Sequence, residues 1–486
     1  MWDSSKTFNI SSDFDMDGEK RGGRLTEDTV LIPDNQTTLD FTIHVPRGKT
    51  LTIRSNGTLQ FAQGTGIFVQ DAQLEKFVIK NAHTGINAVK GSVLVVDCVI
   101  ENSVTSGIEA VLAANQTLRL RNCSIRNNNQ HGVVAKGSTG TYTVDTDNFT
   151  NTKFVSSGDT RGLHIYGRSS GQSDYVRVTG NTFTVQQQCL KIEYIRQMWI
   201  EDNTFTSTTD TAVHIAQWTL DTLTIRNNTF RDSSKALSVN LHNVAPNDAL
   251  VIIDNRFLDH TAGPVVQLEF SNYKATSYVR GNVFQNNTGN DASVLYVIND
   301  VGTSTEAVAV VDNYFDNPSA AYDVKVKIPY TEGHAMYAVR NWWGGASSSH
   351  VRSRIFDYAS DSTTATVQFE PYRLTKETDS LSQTENGFVR DNGIIGGIVE
   401  EDTVLVKKQT SYVVEDDIVV PAGVSLIIEA GVSLLFRRGG ITVEGTMRLL
   451  GKEDDEIVLQ PHSSGSFRGI RFQEHWSGSA SMPAYR

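Results

Sequence analysis

Asn181-Thr-Phe183, Asn203-Thr-Phe205, Asn228-Thr-Phe230, Asn255-Arg-Phe257, Asn282-Val-Phe284, Asn313-Tyr-Phe315 and Asn341-Trp-Trp343 repeat one motif, Asn-x-aromatic, at intervals of 22, 25, 27, 27, 31 and 28 residues. A period of that size marks a supersecondary unit that buries its apolar face only by stacking on copies of itself. Five and three residues before the Asn stand apolar pairs: Val176 and Val178, Met198 and Ile200, Leu223 and Ile225, Leu250 and Ile252, Val308 and Val310. Alternation over so short a span predicts a strand with one buried face. The frame extends upstream if Cys98 and Cys123 take the Asn place, with Ile100 and Ile125 in place of the aromatic.

A further strand is predicted early in each coil, where a small residue leads an apolar-variable-apolar triplet: Gly85-Ile-Asn-Ala, Gly107-Ile-Glu-Ala, Gly162-Leu-His-Ile, Cys189-Leu-Lys-Ile, Ala212-Val-His-Ile. The small residue points to a bend where the neighbouring backbone passes closely. Two or three short strands per turn, with no helical periodicity between them, predict an all-β right-handed parallel β-helix. Its rungs would stack about 4.8 Å apart. Equivalent residues then form columns, aromatic on aromatic inside and Asn on Asn at a turn. Asn181, Asn203, Asn228, Asn255, Asn282, Asn313 and Asn341 are read as a structural ladder that satisfies turn backbone groups, not as ligands.

The 486 residues carry 10 Pro, 38 Gly and a net charge of −12 without a basic block. Nucleic acid is therefore not an expected partner. No run of 18 apolar residues occurs, so no membrane span is expected within the chain. The amino terminus lacks the apolar core of a signal peptide. Asn-x-Ser/Thr sequons at Asn9, Asn35, Asn56, Asn115, Asn122, Asn148, Asn227 and Asn286 point the other way, toward a glycosylated, secreted surface. Together these suggest a fragment of a larger extracellular protein. Cys98 and Cys123 fall in one column on successive coils, about 4.8 Å apart, which a disulfide tolerates; a Cys98–Cys123 bridge is expected. Cys189 is read as a core residue.

Val45-Pro-Arg-Gly through Phe61 is echoed by Val420-Pro-Ala-Gly through Phe436 at constant offset, so each copy reads as the opening of a β-helix. The expected organisation is a leader or cap over 1–40, a β-helix over 41–372, a linker over 373–399, and the start of a second, truncated β-helix over 400–486.

Parallel β-helices can carry polysaccharide-cleaving sites, and such chemistry needs convergent acids. The column before the Asn ladder holds Gly180, Asp202, Asn227, Asp254, Gly281 and Asp312, placing its nearest Asp pairs two rungs, about 10 Å, apart. That is too wide for a retaining pair and slightly beyond the inverting range. The strongest rival constellation is His164, Lys191 and His214, facing outward on three successive coils, a ladder suited to an acidic sugar or a base. Glu193 lies two residues along from Lys191. Outward Trp199 and Trp218 are the aromatic candidates for a bare carbohydrate-binding surface. Asp13-Phe-Asp-Met-Asp-Gly18 opens like a calcium loop, but its twelfth position is Arg24 instead of Glu. No metal and no cofactor is expected.

Asn341-Trp-Trp-Gly-Gly, Arg354-Ile-Phe-Asp357 and Val367-Gln-Phe-Glu-Pro371 resemble the closing segment of extracellular β-helix modules. Gly396-Gly-Ile, Tyr412-Val-Val, Asp417-Ile-Val-Val-Pro-Ala-Gly, Ile428-Glu-Ala-Gly-Val and Gly440-Ile-Thr-Val-Glu-Gly445 resemble the start of the next one. The combination is similar to the bark beetle (Anakonda) family of large invertebrate membrane proteins. There, β-helix modules alternate with scavenger-receptor and lectin-like domains and build tricellular and septate junctions. The resemblance implies a non-enzymatic scaffold at an epithelial cell surface, with other cell-surface or junction proteins as partners and glycans as a further class. The chain departs from that pattern in having no Cys-rich scavenger-receptor domain, no lectin domain and no anchor. The alternative is a secreted polysaccharide lyase or glycoside hydrolase of the pectin-lyase-like class.

Overall fold

The computed structural model describes most of residues 42–472 and short strands upstream of them. Residues 1–14 and 473–486 lie outside the description, as do internal segments such as 138–148, 168–174, 243–248, 272–276, 289–292, 300–307, 330–334, 377–380 and 383–388.

The alternating apolar pairs do form strands, and the strands wind into a parallel β-helix. One coil shows the plan. Gln197–Glu201 leads to Thr204–Ser207 and then to Thr211–Gln217, before Thr222–Arg226 returns beside the start. The return is in register, Met198 on Leu223 and Ile200 on Ile225. Repetition builds a first sheet (strands before the Asn) and a second sheet (strands after it) of twelve strands each. A long sheet of fifteen completes the coil. The strands between 22 and 39 continue this pattern upstream: Gly22–Arg24, Thr29–Leu31 and Gln36–Leu39 pair in parallel with strands of the coil that follows.

The interior is a set of columns. Phe183, Phe205, Phe230, Phe257, Phe284, Phe315 and Trp343 stack with centroids 4.7–5.0 Å apart and interplanar angles of 11–22°. All are essentially inaccessible to solvent. Offset stacking adds roughly 0.5–1.5 kcal/mol per pair beyond area burial. In the second sheet the same column continues upstream as Ile125, Ile100, Ile79 and Leu59.

The Asn ladder forms throughout. The Oδ1 of Asn228 accepts from the backbone N–H of Asn203 at 2.9 Å and from its Nδ2 at 3.0 Å. The Nδ2 of Asn228 donates to Ile200 O, one rung back, at 2.8 Å. The pattern recurs at Asn255, Asn282, Asn313 and Asn341. The residue before each Asn has positive φ: Gly180, Asp202, Asn227, Asp254, Gly281, Asp312 and Arg340, between 51° and 68°. Gly and Asn/Asp enter this left-handed region most readily, which explains the column's composition.

Corners differ in their tolerance. Two residues, the left-handed one and the Asn, separate Thr222–Arg226 from Thr229–Arg231, Ala249–Ile253 from Arg256–Leu258, and Val308–Val311 from Tyr314–Asp316. After the long sheet the spacing varies: Lys235–His242 precedes Ala249–Ile253, whereas Ser293–Asn299 precedes Val308–Val311. The bend before the long sheet is tight. A Cβ on Gly85 would meet Gly107 O at 2.5 Å, and one on Gly162 would meet Cys189 O at 2.6 Å.

The expected Cys98–Cys123 bridge is not formed. The two residues do sit side by side on successive rungs, but both are buried free thiols, as is Cys189. Each thiol instead donates to nearby carbonyls: Cys98 Sγ to Val96 O at 2.9 Å, and Cys123 Sγ to Val95 O at 3.4 Å and Arg121 O at 3.3 Å. Burial and then the Cys123 side chain push the Cys98 thiol far above its usual range, whereas the contact with Cys98 lowers Cys123.

Trp343 ends the aromatic stack. The helix Ser348–Ser353, capped by the Ser347 side chain on the His350 N–H, follows it. Arg354 then binds the buried Asp323 carboxylate at 2.8 Å. Asp357 accepts from Arg352 and from the backbone of Val367 and Ala359. A separate core lies beyond, built on Ile395, Val414, Leu426, Leu434, Phe436 and Ile441. Its strand Ile394–Ile398 pairs in parallel with Tyr412–Val420. That strand falls inside the stretch read as linker from sequence.

Candidate functional site

The register of the long sheet places His164 beside Lys191 and Lys191 beside His214. Both neighbours of each residue along its strand point into the core, so the three side chains share the outward face. The contact that organises them crosses between columns. Glu193 Oε2 lies 2.9 Å from His164 Nε2 and 2.9 Å from Lys191 Nζ. Sequence spacing set Glu193 aside because it occupies the neighbouring column; its side chain leans across that gap.

All members are partly shielded, with 13–19% of the His164, Lys191 and Glu193 side chains exposed. Burial works against the Glu193 charge, but hydrogen bonds from Lys191 and His164 outweigh it and hold the carboxylate below its usual range. Burial pushes His164 down, the Glu193 contact opposing. His214 is lowered by burial and then by Lys191. His131, whose ring meets that of His164 edge-on at 5.9 Å, is lowered to about 4 by burial and by Arg161. The result is an ionised Glu held by Lys191, next to largely neutral imidazoles at pH 7.

Three acids of the turn column are engaged: Asp97, Asp202 and Asp312. Asp202 accepts from Asn227 Nδ2 at 2.6 Å, and Asp97 from Asn122 at 2.7 Å. Asp312 receives Arg340, Arg280 and Arg373; burial opposes its charge, but these guanidiniums hold its carboxyl below the usual range. Asp254 and Asp312 flank Gly281 and line an open cavity of about 560 Å³ with those arginines. Among the described residues no three His, Cys, Asp or Glu converge as metal ligands. The Asp13–Gly18 segment lies almost wholly outside the described residues.

Of the sequons, Asn122, Asn227 and Asn286 are exposed at left-handed turn positions. Asn9, Asn35, Asn56, Asn115 and Asn148 lie outside the described residues. Trp199 stacks on Tyr175 at 4.8 Å and Trp218 on His242 at 5.2 Å. Trp199 lies in a strand of the first sheet and Trp218 at the bend after Thr211–Gln217, so they form no single row.

Two features escaped the sequence reading. One is a second turn ladder, in which Ser233 N–H donates to His260 Nδ1, His260 N–H to Asn287 Oδ1, and Asn287 N–H to Asn317 Oδ1. Its members differ in type and stand four or five residues after the first ladder's Asn, so no fixed motif announces them. The other is a groove of about 470 Å³ near the end of the long sheet, walled by Tyr296, Lys325, Phe356 and Lys327 and by Asp361 and Thr363. Lys325 Nζ sits 5.1 Å from the Tyr296 ring centre and 5.2 Å from that of Phe356.

Residues 41–183 match the family model described as right handed beta helix region. The chain is a right-handed parallel β-helix. A stretch of 130 residues, 26% of this chain, is 32% identical to Protein bark beetle of Drosophila melanogaster and spans 4% of that protein's length. No solved structure gives a significant match. No helix among the described residues is long and apolar enough to cross a membrane.

Proposed function

We propose that this chain is a rigid, non-enzymatic β-helix scaffold of an extracellular cell-surface protein that organises junctions or adhesion between epithelial cells. The similarity to Protein bark beetle carries the location, and tricellular or septate junctions are the sites that the family resemblance implies. The observation that carries the scaffold reading is the fate of the acids. Asp202 and Asp312, which a hydrolase would turn into a cleft, are tied to Asn227 and to three arginines, and the ladders run on beneath them without a break. A solenoid of this kind is a stiff spacer with long, regular faces, and nearest-neighbour stacking gives it stability along its whole length.

Its test is direct. The chain, secreted as a fluorescent fusion, is applied to a living epithelial layer of insect cells. Enrichment at cell contacts, above all at vertices, is expected. Uniform or absent binding overturns the junctional assignment.

The His164–Glu193–Lys191 contact favours one second reading, a polysaccharide lyase or hydrolase, because a carboxylate orients an imidazole there. Release of unsaturated or reducing ends from acidic polysaccharides, abolished by His164→Ala, would establish it and displace the scaffold.

A further inference from the structure

The outward face of the long sheet carries a continuous column: His164, Lys191, His214, Ser238, Gln267, Tyr296, Lys325 and Phe356 are paired rung to rung without interruption. Every member before Phe356 is hydrophilic or has a polar tip. The column alternates with buried Leu, Ile and Val along each strand, so its direction is fixed by the core. Five rung steps separate Lys191 from Lys325, a span of about 24 Å at the strand spacing.

The column itself holds Lys191 and Lys325 and no carboxylate. The chain as a whole carries −12, yet here Lys191, Lys325 and the exposed Lys327 are joined by Lys235, whose Nζ reaches Gln267 at 3.0 Å. Of the acids near the column, Glu193 is already paired with His164 and Lys191, Glu269 stands one column over beside Asn240, and Asp361 lines the groove at the downstream end. The downstream end broadens into the groove where Lys325 lies between Tyr296 and Phe356.

We infer that this face binds a linear acidic polysaccharide lying along the axis of the β-helix, its carboxylates or sulfates on Lys191 and Lys325 and its hydroxyls on the amide and hydroxyl groups between. An extended, stiff ligand matches a straight column with one polar group per rung. Ser238, Gln267 and Asn240 suit sugar hydroxyls, and the apolar face of a pyranose can lie against Tyr296 or Phe356. An acidic peptide would leave most of its own backbone groups without partners on a sheet face whose backbone is already paired. The site would exist whether or not the chain serves adhesion.

Immobilised chondroitin sulfate tests it, with neutral dextran and poly-glutamate as comparisons. Retention of the chain should fall with rising salt, as exposed charge contacts do. The Lys191→Ala/Lys325→Ala variant should bind roughly tenfold more weakly or worse, in line with losing charge-assisted contacts. Lys376→Ala, whose side chain meets Asp316 instead, should bind unchanged. Oligosaccharides too short to reach from Lys191 to Lys325 should bind more weakly than longer ones, and either single lysine variant should erase the advantage of length. No retention, retention unaltered in the double variant, or equal binding of short and long chains overturns the proposal. Equal binding of poly-glutamate overturns the assignment to a glycan. Circular dichroism of the variants checks that their fold is intact.

Discussion

Two stretches of one helix use the same backbone with different chemistry. From Asn181 to Trp343 each rung sets an Asn at the turn and an aromatic inside. From Leu59 to Ile125 the inside column is aliphatic and the turn holds Cys98 and Cys123. Register and strand spacing continue unbroken through both. Cys123 Sγ even reproduces part of the Asn role, donating one rung back to Val95 O as Asn203 Nδ2 donates to Val178 O. What the thiol lacks is an oxygen that accepts the neighbouring rung's amide while its own hydrogen donates. The coil geometry is therefore set by the alternating strands and the left-handed turn residue, and the Asn and aromatic columns strengthen a path that aliphatic residues and cysteine also follow.

The largest test removes an aromatic. Phe257→Ala should cost about 3–5 kcal/mol, against about 2–5 for Ile100→Ala in the aliphatic stretch. Amide hydrogen exchange can read each locally, since a solenoid need not unfold in one step. Equal losses would mean that ring stacking adds nothing. Next, Asn255→Ala leaves the Asn228 N–H and the Ile225 carbonyl without the partners that now satisfy them. A loss of about 2–4 kcal/mol is expected, read by the same exchange protection.

A smaller effect depends on pH. His260, buried in the second ladder, is lowered to about 4, first by burial. Unfolded, it titrates near 6.5. Between those values the unfolded chain binds a proton that the folded chain does not, so stability is full above about pH 6.5 and falls as pH drops toward 4. The loss is about 3 kcal/mol at most. Denaturant titration at pH 7.5 and pH 5 should show it, and His260→Asn, which keeps a ladder acceptor, should flatten this part of the profile. The smallest effect is Cys123→Ala, about 1 kcal/mol for a weak donor and a small void. Thiol titration of the unreduced, denatured chain should count three groups; one would show that Cys98 and Cys123 are bridged after all.

The fold was legible because the motif recurs at one frame and because strand alternation needs no long-range knowledge. The columns Phe205–Phe230–Phe257 and Asn203–Asn228–Asn255 follow from counting alone. The site was half legible. His164, Lys191 and His214 were placed on one face by the same counting, but the Glu193 contact was not, since a column model assigns neighbours by position and ignores the reach of a flexible side chain. The second ladder stayed hidden because Ser233, His260, Asn287 and Asn317 share a geometry and no residue type. The pairing of Cys98 with Cys123 was correct as adjacency and wrong as a bond: neighbouring positions on parallel strands do not by themselves orient two sulfurs for a covalent link.

The unequal corners carry a consequence for how such a chain can change over generations. Where only a left-handed residue and an Asn join two strands, an added residue would throw the side chains of the strand that follows to the opposite face. The corner after the long sheet already absorbs several residues more in one coil than in another. Insertions, even whole domains, can therefore accumulate along that single seam while the packed interior keeps its register.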